Sequence, residues 1–319
     1  MYKINYKTPK NLSVSSARYF LDEVQSIFSL ADANIEGVNL DTSATEKADL
    51  LGQLLLYKFI EYTIHKNCFR NPTTNLNYNS VLKDRLDHTG FLPFFNEFMN
   101  KKTNYLKNDI PQDYNLSWKQ DNKIYIAPIV LSKSSEVYSE KEDAICKKIR
   151  EYYGFDSTIV GTIMSCISEV GSNFMEHAEE STNSVLVASG NKDFFELACA
   201  DTGKGAITSM RSVLKTKMQI HDILALSLDK GVTSKPNTFH SGSGLWLISQ
   251  YVTFAKGQLY LFSEGAYYYK RGNVIRKGQC GRWKGTIIYV CLPLNDKKAL
   301  LEGKRNIRNN YGHVKLAFV

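Results

Sequence analysis

Between residues 157 and 201 the chain encodes a long helix followed by a two-stranded hairpin, the run from which its architecture is read. Ile159, Ile163, Ile167, Val170 and Phe174 recur at helical intervals on one side of a helix expected from about Ser157 to Glu179. Ser184 to Ser189 and Phe194 to Ala200 are apolar strands joined by the turn residues Gly190 and Asn191. A strand at Lys123 to Leu131 precedes them, with a helix opening at the capping-box residues Ser139 and Glu142 and stopping at Gly154. After Asp201 come helical patterns at Ala206 to Leu214 and Gln219 to Leu228, a mobile-looking Gly231 to Asn237, and a helix from Leu245 to Phe254. Strands at Gln258 to Ser263, Tyr267 to Lys270 and Thr286 to Leu292 close the pattern. The sum predicts an α/β (α+β) two-layer sandwich: a mixed, mainly antiparallel sheet with helices on one face.

Residues 1–122 read as a smaller α/β unit for regulation or interaction. It has a strand at Tyr2 to Tyr6, a helix from Ser15 to Leu30, and a short strand at Val38 to Asp41. Thr42-Ser43 then opens a long helix carrying Leu50, Leu51, Leu54, Leu55, Phe59 and Ile60. The Asn- and Pro-rich text from Asn71 to Asn79 reads as a loop, and Asn104 to Asp121 as the connection to residues 123–295. Residues 296–319, with Lys297, Lys298, Lys304, Arg305, Arg308 and Lys315, read as a basic tail.

Composition narrows the function. With 319 residues, 43% of them hydrophobic, the chain can bury a full core, yet no apolar run reaches membrane-spanning length. The opening Met-Tyr-Lys-Ile-Asn-Tyr is no signal peptide, which points to the cytoplasm. Six scattered cysteines make no CxxC pair, and Cys146, Cys166, Cys199 and Cys291 fall in apolar patterns as reduced core residues. A net charge of +8 permits a nucleic-acid partner, but the basic residues are spread along the chain outside the tail.

Three polar segments stand out against this background. Glu169, Asn173 and His177 stack at i, i+4 and i+8 on a helix face distinct from the apolar one. An Asn amide there can complete a magnesium shell, and a Glu one turn earlier can act as general base toward a γ-phosphate. Asp201 ends a buried strand, where a fixed carboxylate can accept from the exocyclic amine of adenine. Gly203 and Gly205 beside it let a planar base approach. Ser241-Gly242-Ser243-Gly244, with Leu245, leads into a helix whose unpaired N–H groups and dipole suit phosphate. Alone, each segment also fits a blander reading: a solvated helix face, an Asp-Thr-Gly turn, a helix entry.

In order and together, these segments resemble the GHKL superfamily of ATPases and kinases. Glu169, Asn173 and His177 match its N box, Asp201-Thr-Gly203-Lys-Gly205 its first glycine box, and Gly242-Ser-Gly244-Leu245 its second. Gly285-Thr286 matches its closing Gly-Thr element. The resemblance implies a Bergerat ATP-binding fold over about 123–295, with ATP and Mg2+ as cofactors. Asn173 would bind the metal, Asp201 would read adenine, the 242–244 loop would hold phosphates, and Thr286 would contact the base through water. Glu169 would be the catalytic base, and residues 206–240 a closing lid. His177, Lys235 and His240 lie in these elements with roles left open. No dimerising hairpin with a phospho-accepting histidine is apparent, so stand-alone anti-sigma-type serine kinases and related regulators are the nearest members. The N-terminal unit more faintly resembles STAS modules, which would make Ser43 or Thr42 a phosphoacceptor; a helix N-cap accounts for the same residues.

The expectation is a cytoplasmic regulator with lid closure and slow ATP hydrolysis or Ser/Thr phosphoryl transfer, read by a protein partner or a second copy in a homodimer. A non-catalytic nucleotide sensor and a nucleic-acid-associated ATPase in bacterial defence are the alternatives.

Overall fold

Parallel strands need a crossover between them, and the N-terminal part of the chain supplies two, each built on a helix. The computed structural model describes residues 2–29, 35–65, 73–78, 80–94, 117–120, 122–131, 135–177, 184–214, 217–234 and 243–311. β1 (Tyr2–Lys7) is followed by the two-residue strand β2 (Asn11–Leu12), α1 (Ala17–Ser29) and β3 (Ile35–Thr42). Next come β4 (Lys47–Ala48), α2 (Leu50–His65), β5 (Thr73–Tyr78) and α3 (Ser80–His88). The long strands pair in parallel in the order β1-β3-β5, and β2 pairs in parallel with β4.

Two expectations change here. The long helix starts at Leu50 and not at Thr42, because the intervening residues fold back on the first strand's exit. Thr45 N donates to Thr42 O at 3.1 Å, and the Thr45 and Thr8 hydroxyls meet at 2.6 Å. Asp49 then caps α2, its carboxylate accepting from Gly52 N at 2.9 Å. Residues read as an Asn-rich loop include β5, whose Leu76 pairs with Leu40; backbone pairing outweighs composition at this position.

The remainder builds one eight-stranded sheet in the order β12-β11-β10-β13-β9-β8-β7-β6. Its strands are β6 (Ser117–Gln120), β7 (Lys123–Leu131), β8 (Ser184–Gly190), β9 (Phe194–Ala200), β10 (Gln258–Ser263), β11 (Ala266–Arg271), β12 (Val274–Gln279) and β13 (Thr286–Pro293). Among the described residues every pairing in it is antiparallel, which corrects the expected mixed sheet. The sheet also begins earlier than the boundary at 123, with β6. The helices are α4 (Ser135–Tyr153), α5 (Ser157–His177), α6 (Ala206–Leu214), α7 (Ile220–Leu226), α8 (Gly244–Phe254) and α9 (Lys297–Tyr311). α4 starts at Ser135, so Ser139 lies inside it rather than capping it; Gly154 stops it with φ +74°.

Side chains alternate across a strand, and both faces of the central strands β8 and β9 are covered. Leu186, Ala188, Leu197 and Cys199 pack under Ile163, Ile167 and Val170 of α5 and Ile248 and Val252 of α8. Val185, Val187, Ala198 and Ala200 face the other way, onto a core shared with Leu51, Leu54, Leu55 and Phe59 of α2. The arrangement with helices on one face is thus corrected: the N-terminal unit covers the opposite face as a further layer. α2 is buried at every position from Leu51 to Thr63, its polar residues Gln53, Lys58, Glu61 and Thr63 included. It carries one buried ion pair, Lys58 with Glu61, to which the Tyr57 hydroxyl donates at 3.2 Å.

The expected basic tail is helical as far as Tyr311. α9 buries Leu300 and Ile307 in the α5–α8 core, while Lys304 Nζ donates to Ser157 O at 3.0 Å and Lys297 pairs with Asp156 at 2.8 Å. Among the described residues no helix is long and apolar enough to cross a membrane.

The junction between the units is sensitive to pH at Asp49. Burial first, and then the Glu196 carboxylate, push its pKa from 3.8 up to about 6 against the backbone N–H groups that lower it. The folded chain therefore holds this proton more tightly than the unfolded one. The group's contribution to stability is complete below its unfolded pKa and is lost as pH rises through about 6. In thermal unfolding, Asp49→Asn is expected to gain on the unaltered chain between pH 5 and pH 7.5; a constant difference in midpoint contradicts this.

Candidate functional site

α5 presents Glu169 and Asn173 one turn apart, and both are half-buried. Asn173 Nδ2 donates one of its two N–H groups to Glu169 O at 2.7 Å, and Oδ1 is the acceptor end of the amide. Facing this turn is Gly244, the first residue of α8. A Cβ at Gly244 would meet the Glu169 Oε2 and lie 2.9 Å from Asn173 Nδ2, so the start of α8 sits directly against these two side-chain tips. Ser243, the N-cap, makes no side-chain cap bond, and the Glu169 carboxylate lies against the positive end of the helix dipole. The first and third sequence segments therefore meet. Leu245 follows, packed against the α5–α8 core.

The second segment is held by β13. Asp201 is 4% exposed; its N–H donates to Thr286 O at 3.0 Å, and its Oδ1 accepts from Gly203 N at 2.8 Å and Thr286 N at 3.3 Å. Gly285, at φ +103°, brings its Cα so near that a Cβ would lie 2.5 Å from Asp201 O. Thr286 Oγ1 accepts from Ala206 N at 3.1 Å, and Ser263 Oγ accepts from the same N–H at 2.9 Å, so α6 starts from this cluster. A Cβ on Gly205 would run into the Glu264 side chain, whose Oε2 accepts from Thr208 N at 2.7 Å.

One contact relates the two clusters. Ser184 Oγ donates to Phe174 O at 3.4 Å, and in the β8–β9 register Val185 pairs with Ala200. The Asn173 turn of α5 and Asp201 thus lie at the same end of the sheet. The carboxylates are felt by their buried neighbours: burial first and Glu169 second push up the Cys166 thiol, while burial first and Asp201 second push up Cys199. Neither thiol is set up as a nucleophile.

Ser241, Gly242, Lys235 and His240, and the side chain of His177, lie outside the described residues. The helices expected in the lid are anchored: Ile207, Met210, Ile223 and Leu224 are buried, and Asp222 pairs with Lys277 of β12 at 2.8 Å. Of the expected phosphoacceptors, Thr42 is fully buried, while Ser43 is exposed in a turn where its N–H donates to Asp41 Oδ1 at 3.0 Å.

Sequence reasoning passed over Ser263, Glu264 and Trp283, which surround Asp201 and the start of α6. Their roles depend on tertiary pairing; the only local signal is a tryptophan set between Gly281 and Gly285. Comparison of the chain with protein-family models, curated proteins and solved structures gives no match.

Proposed function

We propose that the chain binds Mg-ATP in a Bergerat-type site of the GHKL kind and turns it over slowly as a cytoplasmic switch. The observation that carries the reading is the seating of Gly244 against Glu169 and Asn173, at the sheet end where Asp201 is fixed. Three elements distant in sequence lie toward this end of the sheet, and their chemistry is complementary in this reading. Asp201 accepts from the adenine amine, the first N–H groups of α8 receive phosphate oxygens, and Asn173 Oδ1 offers one metal ligand.

The residues fit magnesium and suit few other metals. A single amide oxygen is enough for an ion that keeps its waters and leans on phosphate oxygens, and no group of three His, Cys, Asp or Glu gathers among the described residues. Bound magnesium would neutralise phosphate charge that otherwise faces Glu169 across the start of α8. Glu169 then takes a proton from a water or a Ser/Thr hydroxyl as that oxygen attacks the γ-phosphorus. The bond to the β–γ bridging oxygen breaks and ADP leaves. A protein partner or a second copy would read the liganded state.

Equilibrium binding tests the proposal. ATP should bind in a magnesium-dependent way, with GTP a poor competitor. Equal binding of both purines, or none, rejects it.

A further inference from the structure

Asp201 has a support that is packed in turn against the N-terminal unit. β9 ends at Ala200, so the Asp201 carbonyl lies past the ladder and needs a donor from elsewhere. Trp283 supplies it: Nε1 donates to Asp201 O at 2.8 Å, and the indole is fully buried. Its ring packs on Phe28 of α1 with centroids 4.9 Å apart, and Phe28 packs on Tyr62 of α2 at 4.6 Å.

The rest of the segment is clasped by the same helix. Gly281 N donates to Asp22 Oδ1, and a Cβ on Gly281 would fall on the main chain of Leu21 and Asp22. Arg18 Nη2 donates to Gln279 O at 3.4 Å, with its guanidinium 4.1 Å above the Tyr267 ring. On the far side, Trp283 O accepts from Glu264 N at 3.1 Å, and Glu264 caps the start of α6 through Thr208 N at 2.7 Å. Residues 279–286 therefore connect α1, the expected base reader and the first helix beyond it through direct hydrogen bonds and ring contacts.

We propose that Trp283 is a positioning residue through which the docking of α1 and α2 sets Asp201 and hence the site's affinity and selectivity for adenine; this rests on the nucleotide site described above. The N-terminal unit would then act on the nucleotide from the back of the sheet without touching it. Any ligand or partner that shifts α1 would retune ATP binding by the same route.

The test is Trp283→Phe in the full-length chain, which keeps a ring against Phe28 and removes the N–H. Binding of Mg-ATP, Mg-GTP and Mg-tripolyphosphate is compared, with unfolding monitored alongside. ATP affinity should fall about tenfold and the preference over GTP should narrow, while tripolyphosphate affinity stays within about twofold. Phe28→Leu, which loosens the ring contact from α1, should shift the same ratio in the same direction and serves as the reading if Trp283→Phe does not fold. An unchanged ATP/GTP ratio, or equal losses for ATP and tripolyphosphate, overturns the inference alone. Failure of the unaltered chain to bind Mg-ATP overturns the nucleotide site, and the inference with it.

Discussion

Asparagine at position 201 is expected to weaken ATP binding by one to two orders of magnitude without unfolding the chain. Asp201 Oδ1 accepts from the backbone N–H groups of Gly203 and Thr286, and an asparagine amide oxygen can keep both. What the variant loses is a charged acceptor for the exocyclic amine of adenine. Such a bond is worth about 1.5–3 kcal/mol, or roughly 10- to 150-fold in affinity. The new amide NH2 can also donate to the carbonyl of guanine, so preference for ATP over GTP should shrink by more than ATP affinity alone. Competition binding with both nucleotides measures this. Alanine is the harsher variant, because it leaves two N–H groups unpaired at a site only 4% exposed, and part of its effect would be structural. Should Asp201→Asn bind ATP like the unaltered chain, Asp201 is not the base reader.

The second large effect is expected at Glu169, and its sign separates chemistry from binding. Glu169→Gln keeps the size of the side chain and removes the base, so turnover should fall by about 10²- to 10⁴-fold. Affinity should hold or rise. The Glu169 carboxylate lies against the start of α8, where it would compete with the proposed phosphate for the same dipole. Removing its charge should favour ATP most strongly when magnesium is scarce. Phosphate-release kinetics and equilibrium binding give the two numbers. Turnover within about threefold of the unaltered chain would remove Glu169 from the reaction.

Elements with a strong local period were legible in the chain. β7, α6 and β10 occupy the expected residues, and the β8–β9 hairpin differs from the expected span by one residue. Elements whose composition points elsewhere were not. β5 is rich in Asn, and β12, with Val274 and Ile275 exposed, lacks a buried face; each exists because a neighbour pairs with it. In α9, Leu300 and Ile307 lie at helical spacing among so many Lys and Arg that the charge masked the period. The second covered face of the sheet had left a trace, since Val185 to Ser189 carries no polar alternation and the leucines of α2 are not confined to one side of the helix.

Within the candidate site, local sequence singled out the residues, and tertiary structure decided their company. The pairing of Glu169 with Asn173 follows from helix geometry alone. The approach of Gly244 to both, and of Thr286 to Asp201, depends on how α8 and β13 cross the sheet. The role of Trp283 could not be read from the chain, because its partners Phe28 and Asp201 both lie far upstream of it.

The most direct measurement is a crystal structure of the full-length chain with magnesium and a non-hydrolysable ATP analogue. The account predicts the adenine amine on the Asp201 carboxylate, phosphate oxygens at the N–H groups opening α8, and the cation on Asn173 Oδ1. A nucleotide bound on another surface, or bound here with its base away from Asp201, would contradict it.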